Sequence, residues 1–304
     1  MIITELPGGE LRRQLRQSGL RIRIGPVVAE IRSRFRAVES AIALHYAAHE
    51  LVPTSDFADF HVAIEAPLGL RRFVGPQALF RFEGNPPFRP LAAAQAFPLF
   101  EWGLNWCVSE HCHQYLIIHA AVIERAGRAM ILPAPPGSGK STLCAGLVAR
   151  GWRLLSDELT LIDIDRRSVV PFPRPISLKN ASIATMTRFW PDAAMSPVVH
   201  DTLKGSVGHV RPPAESVRRG DERASPGWIV LPRYEAGHAT ELAPLPRPAA
   251  FMQLVDNAFN YSMHGRAGFD ALTDVVTASG CFQFTYGGDL HAAAQAFDAL
   301  AGMR

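Results

Sequence analysis

The chain has 304 residues, 48% of them apolar and 19% charged, with 31 Lys and Arg against 28 Asp and Glu. That composition supports a substantial core and excludes a disordered chain. A net charge of +3 without a Lys/Arg block gives no footprint for nucleic acid, and no run of about 18 apolar residues is present to form a membrane-spanning helix.

Met1 to Arg13 carries Glu5, Glu10, Arg12 and Arg13 and lacks the apolar stretch of a signal peptide. Four Cys give no disulfide framework, so the expected setting is the reducing cytoplasm. Residues 1 to about 20 are polar and helix-like, with Leu11 and Leu15. Leu20 to Glu30 alternates and predicts a strand. Ala37 to Leu51, with Val38 and Ile42 on one face, predicts a helix. Asp59–Ile64 and Ala78–Phe82 read as strands, and Asn85-Pro86-Pro87 as a loop. Residues 1–95 are therefore expected to form a small α+β domain. His61 and the pair Arg71-Arg72 are expected at its surface.

Phe97 to His111 is amphipathic, with Leu99, Phe100, Trp102, Leu104 and Trp106, and predicts the helix that opens a second domain over 96–304. Cys107 and His111 share one face of it. That spacing suits a metal, and it equally suits a packed thiol with a solvated imidazole at a helix end. Leu116 to Ile123 predicts a buried strand with His119 inside it. Two readings of His119 stay open: a hydrogen-bonded core residue, or a group that bonds Asp157 or a phosphate and tunes the carboxylate.

A turn at Glu124–Arg128 leads to a strand ending at Leu132, and then to Ala134-Pro135-Pro136-Gly137-Ser138-Gly139-Lys140-Ser141-Thr142. A helical run follows to Arg150, with Gly151 beyond its end. Strand, glycine-rich loop, Lys-Ser and helix together are the pattern of a phosphate-binding P-loop (Walker A). Small residues let backbone N–H groups turn inward around an anion, and the helix adds its N-terminal dipole. Pro136 to Thr142 would then hold a nucleotide, Lys140 would reach the β/γ-phosphates, and the Ser141 hydroxyl would ligate Mg²⁺. Ala134 stands where the usual pattern has its first glycine, which is compatible only with a negative φ there.

Trp152–Leu155 predicts a strand that ends at Ser156-Asp157-Glu158. Two acids at a strand end after such a helix can divide the work: one carboxylate at Mg²⁺, the other accepting a hydroxyl proton. An ordinary acidic turn is the competing reading. Leu159–Ile164 and Val169–Phe172 predict a further hairpin, and hairpins around the loop argue against a doubly wound fold. Beyond Ile176–Asn180, the stretch from about Asp201 to Pro226 reads as long loops. Gly227–Leu231 and Cys281–Tyr286 read as strands, and Ala249–Tyr261, Gly268–Ser279 and Leu290–Ala301 as helices.

The order His119, P-loop, then Gly151-Trp152-Arg153-Leu154-Leu155-Ser156-Asp157-Glu158 resembles the HPr kinase/phosphorylase family, and more closely its HprK-related kinase A branch. The likeness covers about 97–180. It extends weakly through Leu203-Lys204-Gly205, His209-Val210-Arg211-Pro212-Pro213 and Asn257-Ala258-Phe259-Asn260-Tyr261. It implies an α/β fold: an HPr-kinase-like P-loop domain, a mixed sheet with hairpins, preceded by the small α+β domain. It implies a kinase using ATP and Mg²⁺, with Asp157 as general base toward a Ser hydroxyl of a small protein or peptide. His119 would assist, Lys140 would bind the phosphates, and Ser141 and Glu158 would sit at Mg²⁺. Arg174, Lys179 and Arg211 are the candidate basic groups for the transferring phosphoryl. Such kinases form hexamers, so a homo-oligomer is an open expectation without an identified interface. The chain departs from the family at Glu158, where a second Asp is usual, and at Thr142, where Glu is usual. Two other readings of the P-loop remain: a nucleotide-gated binding module, and a kinase for a small molecule, as in the distantly similar phosphoenolpyruvate carboxykinases.

Overall fold

The computed structural model describes residues 1–70, 73–135 and 137–302. The expectations for Arg71-Arg72 at the surface and for Pro136 in the loop fall outside the described residues.

Alternation of apolar and polar side chains builds the first sheet. A short helix α1 (Glu10–Arg16) precedes strands β1 (Leu20–Ile24) and β2 (Val27–Ser33), then helix α2 (Arg36–His45) and strands β3 (Phe60–Glu65), β4 (Gln77–Phe82) and β5 (Leu91–Ala92). The five strands lie in chain order, with only β2 and β3 parallel. The single strand predicted over Leu20–Glu30 is a hairpin, because Gly25-Pro26 turns the chain within it. The helix predicted to Leu51 stops at Tyr46. Beyond it the backbone of Glu50 and Val52 bonds to Arg23 and Arg21 and covers the β1 edge. Helix α3 (Ala96–His111) lies on this sheet, with Phe97, Phe100, Leu104 and Val108 joining Phe80, Ile42 and Tyr46 in one core.

The remaining elements, in chain order, are β6 (Tyr115–Ile118), β7 (Ala120–Arg125), β8 (Arg128–Pro133), α4 (Lys140–Ala149), β9 (Arg153–Ser156), β10 (Thr160–Asp163), β11 (Ser168–Val170), β12 (Ile176–Lys179), α5 (Ala181–Phe189), β13 (Val199–Thr202), β14 (Gly205–Val210), α6 (Ala214–Arg218), β15 (Ser225–Tyr234), β16 (Glu241–Pro244), α7 (Arg247–Asp256), α8 (Tyr261–Ala278), β17 (Gly280–Tyr286) and α9 (Leu290–Gly302). A six-stranded sheet in the order β16-β17-β15-β8-β7-β9 forms the centre. Strands β8, β15 and β17 are parallel, and the other pairs antiparallel.

The middle of this sheet is buried on both faces, so residues 120–123, 129–132 and 228–231 are continuous apolar runs. Ala121, Ile123, Met130, Leu132, Leu154 and Val230 face α4 and α9. Their neighbours Ala120, Val122, Ala129, Ile131, Leu155 and Ile229 face α7 and α8. The period of two thus assigns each side chain to one of two helical layers. The chain is mixed α/β, with two further three-stranded sheets, β11-β10-β6 and β12-β14-β13.

The long loops expected from about Asp201 to Pro226 are not what forms. Strands β13 and β14 and helix α6 lie there. Strand β14 contains Gly205 and Gly208 and has little strand propensity of its own; pairing with β12 from Ile176↔Val210 to Lys179↔Val207 decides its state. Among the described residues no helix is long and apolar enough to cross a membrane.

Candidate functional site

The site forms where two chain segments change sheets side by side. Strands β6 and β7 are separated by one residue, His119, yet belong to different sheets. Strands β9 and β10 are separated by Asp157-Glu158-Leu159 and also belong to different sheets. The first strand of each segment pairs with the second strand of the other: β6 with β10 (Ile118↔Thr160) and β9 with β7 (Ser156↔Val122). The two crossings are therefore neighbours. Thr160 Oγ1 donates to Ala120 O at 3.1 Å and pins them together.

The continuous strand predicted over Leu116–Ile123 is therefore broken at His119. Its N–H leaves the ladder and donates to Asn257 O at 2.7 Å. The segment before α8 holds this bend from outside: Asn260 Oδ1 accepts from Ile117 N–H at 2.9 Å, and the Phe259 ring meets the His119 ring edge-on at 6.0 Å.

The glycine loop arrives from β8, whose hairpin with β7 turns at Ala126 (φ +53) and Gly127 (φ +76). Gly137 and Gly139 have φ of +87 and +82. Ala134 is absent from the positive-φ residues, so alanine fits its position without strain. A Cβ on Gly139 would stand 2.2 Å from Tyr286 Oη, and that hydroxyl donates to Gly139 O at 3.0 Å. Tyr286, from β17, thus buttresses the loop. The Ser138 hydroxyl is buried without a protein partner. Lys140 opens α4, followed by the half-buried Ser141 and Thr142 in its first turn.

Lys140 is 8% exposed, and its Nζ donates to His119 Nε2 at 3.0 Å. Burial, followed by the Lys140 charge, lowers the His119 pKa to about 4, so the imidazole is neutral at pH 7. With Nε2 accepting, the ring proton sits on Nδ1, 3.8 Å from Glu158 Oε2. Glu158 Oε1 lies 3.8 Å from Lys179 Nζ. Burial alone would raise the Glu158 pKa, but Lys179, Lys140, His119 and Lys204 together hold it below the usual value. Asp157 is 3% exposed. Burial, then the Glu158 charge, pushes its pKa up to about 6. One carboxylate oxygen, Oδ2, accepts the Ser177 N–H at 3.0 Å; the other, Oδ1, is buried without a partner.

The structure thus brings Lys140, His119, Asp157, Glu158 and Lys179 to one place. His119 addresses Lys140 and Glu158, where the sequence offered Asp157 or a phosphate as its partner. Arg174 is elsewhere engaged: its guanidinium is buried, 2.7 Å from Glu101 Oε2 and 2.8 Å from Asn105 Oδ1. It is an internal strut, unavailable to a phosphoryl group. Arg211 is exposed, and its charge acts on the buried His45. Cys107 lies fully buried in the first core, where burial pushes its thiol up to about 12, and His111 stacks on Phe82 at 4.6 Å. Among the described residues no group of three or more His, Cys, Asp or Glu side chains is placed to hold a metal ion.

Sequence reasoning missed Tyr286 and the placement of Lys204. Tyr286 had no local signal, being the last residue of an ordinary strand. Lys204 stands in the run Leu203-Lys204-Gly205, which gives no position relative to the acids.

A family model described as SynChlorMet cassette protein ScmC matches residues 104–175. That segment runs from within α3 to the start of β12 and includes His119, the glycine loop and the acidic pair. No curated protein matches the chain.

Proposed function

We propose that this protein is an ATP-dependent kinase of the HPr-kinase-like P-loop fold, transferring a phosphoryl group to a Ser hydroxyl of a small protein or peptide. The observation that carries this reading is Asp157. Its Oδ2 is anchored by a backbone N–H, and its Oδ1 is buried and unpartnered beside the loop lysine. A pKa of about 6 leaves this carboxylate mostly ionised at pH 7 and basic enough to take a proton.

In the proposed step the acceptor oxygen forms a bond to the terminal phosphorus, and its proton passes to Asp157 Oδ1. The bond from that phosphorus to the bridging oxygen breaks, and ADP departs with the electron pair. The glycine loop and the N-terminus of α4 hold the phosphates through backbone N–H groups. Lys140 offsets charge on the β/γ-phosphates, and neutral His119 orients its ammonium. The donor set fits Mg²⁺, which takes one or two protein oxygens and completes its shell with phosphates and water; Glu158 and Ser141 would hold it. Bound there, Mg²⁺ neutralises phosphate charge.

The test is transfer of γ-³²P from ATP into total soluble protein of the source cell, wild type beside Asp157→Asn. A labelled band given by wild type alone supports the kinase and yields its acceptor. Equal labelling by Asp157→Asn removes the base. Nucleotide binding without any labelled band turns the reading to a binding module or a small-molecule acceptor.

A further inference from the structure

Two lysines of the β12-β14-β13 sheet act on Glu158: Lys179, named from the sequence as a candidate basic group for the phosphoryl, and Lys204, which has no role in the kinase scheme. Lys179 ends β12, with Nζ 3.8 Å from Glu158 Oε1. Lys204 sits at the exposed tip between β13 and β14. Its Nζ stands 5.2 Å from the centre of the Trp102 ring, and among the described residues no carboxylate is within ion-pair distance of it.

The backbone under these lysines is tightly determined. The Lys179 N–H donates to Ser182 Oγ at 2.8 Å, and its carbonyl accepts from the same hydroxyl at 2.7 Å. The next residue, Asn180, has φ +53 and ψ −126, a conformation normally left to glycine. Asn180 N–H donates to Ser206 O at 2.9 Å, and Asn180 Oδ1 accepts from Ser206 N–H at 3.1 Å. A Cβ on Gly205 would lie 2.3 Å from that Oδ1. One interlocked pair of turns therefore fixes the residue after Lys179 against the residue after Gly205, and so holds the end of β12 that carries Lys179 beside the hairpin that carries Lys204.

The charge count around Glu158 is uneven. Lys140, Lys179 and Lys204 all act on its carboxylate. The charges of Lys179 and Lys204 also act on one another. An anion with several oxygens, seated between the two lysines, would answer both. Small monoanions would leave one lysine unanswered.

We propose that Lys179 and Lys204 grip the terminal phosphoryl of a nucleoside triphosphate, so that the site distinguishes triphosphate from diphosphate. This rests on the nucleotide reading of the glycine loop. On that reading the loop and Lys140 hold the phosphates common to ATP and ADP, and the small sheet reads the phosphate that only ATP has. Transfer removes that phosphate from the nucleotide, so the grip on ADP is lost when the reaction ends.

The test is calorimetric titration of the full-length chain with Mg²⁺–ATP and separately with Mg²⁺–ADP. The proteins compared are wild type, Lys204→Ala, Lys204→Arg and Lys179→Gln. Loss of one charge-assisted contact is expected to weaken ATP about tenfold in Lys204→Ala and Lys179→Gln, with ADP changed less than about twofold, and Lys204→Arg to restore most of the ATP affinity. Lys204 is exposed at a hairpin tip, and unchanged thermal melting of its variants would confirm intact folding. Wild-type binding of both nucleotides with ATP unaffected by the substitutions, or with ADP weakened in step, overturns the grip while leaving the nucleotide site standing. A wild-type chain that binds neither nucleotide overturns both.

Discussion

Lys140 Nζ and His119 Nε2 are joined by a hydrogen bond of 3.0 Å, and that bond ties the glycine loop to the seam between two sheets. The imidazole accepts because it is neutral, and it is neutral because burial and the ammonium itself suppress its protonation. Lys140 is in turn pressed toward neutrality by burial, against the pull of Glu158 and Asp157. Each group of this set owes its charge state to the others, so substitutions here change electrostatics before they change shape.

Asp157→Asn is expected to stabilise the protein at pH 7.5 while removing transfer. Burial raises the Asp157 pKa from 3.8 to about 6, so ionisation of this carboxylate opposes folding above pH 6. A shift of that size corresponds to at most about 3 kcal/mol, and an unpartnered amide at the Oδ1 position returns part of it. A gain of about 1–2 kcal/mol in urea denaturation at pH 7.5, vanishing below pH 4, is the expected result. Equal stability at both pH values would contradict the burial argument.

Stability is expected to rise with pH between about 4 and 6.5. His45, His49 and His119 have pKa values lowered to about 4, and His209 to about 3, in each case first by burial. In that window the unfolded chain binds protons that the folded chain refuses, so the folded state gains as pH rises. Asp157 has the opposite sign between 3.8 and about 6 and offsets one of the four. Each net proton adds about 1.4 kcal/mol per pH unit. Urea midpoints from pH 5 to 7.5 check the slope, and His209→Phe should lower it by about one proton's worth.

The buried pair Arg174–Glu101 is expected to be worth most when only one partner is removed. Arg174 bonds Glu101 at 2.7 Å, and Glu101 also accepts from Tyr46 Oη at 2.7 Å, joining α2 and α3 to the segment before β12. Arg174→Ala strands a buried carboxylate and should cost about 3–5 kcal/mol. The double variant Arg174→Met/Glu101→Leu should cost clearly less, since both charges leave together. Denaturant unfolding of both variants decides it; equal costs would mean packing, rather than charge, dominates.

Gly139→Ala is expected to disturb the loop for two separable reasons. Its φ of +82 disfavours a side chain, at about 1–3 kcal/mol, and the new Cβ meets Tyr286 Oη at 2.2 Å. Tyr286→Phe removes the nearer atom and leaves ring carbon at 3.1 Å. In that background Gly139→Ala should cost about 1 kcal/mol less than in wild type, a coupling that a double-mutant cycle in thermal melting measures.

Local physics made much of the chain legible. The turn at Ala126-Gly127, the end of β8, the positive φ of Gly137 and Gly139 and the start of α4 at Lys140 all follow from residue type and neighbours in sequence. The strands over Asp59–Ile64, Ala78–Phe82 and Cys281–Tyr286 and the helix from Phe97 to His111 follow from apolar spacing. Where the pattern misled, pairing partners far along the chain decided the outcome. β14 is a strand because β12 is beside it, and the run Leu116–Ile123 is broken because His119 N–H bonds Asn257. The acids and His119 were visible as residues; that they meet depends on two sheets exchanging strands at one seam, with pairings 42 and 34 residues apart, Thr160↔Ile118 and Ser156↔Val122. Periodicity reports which face of a strand is buried, and turn chemistry reports where a strand ends. Neither carries the contact energies that choose which strand lies alongside, and that choice placed Lys140, His119 and Glu158 within reach of one another.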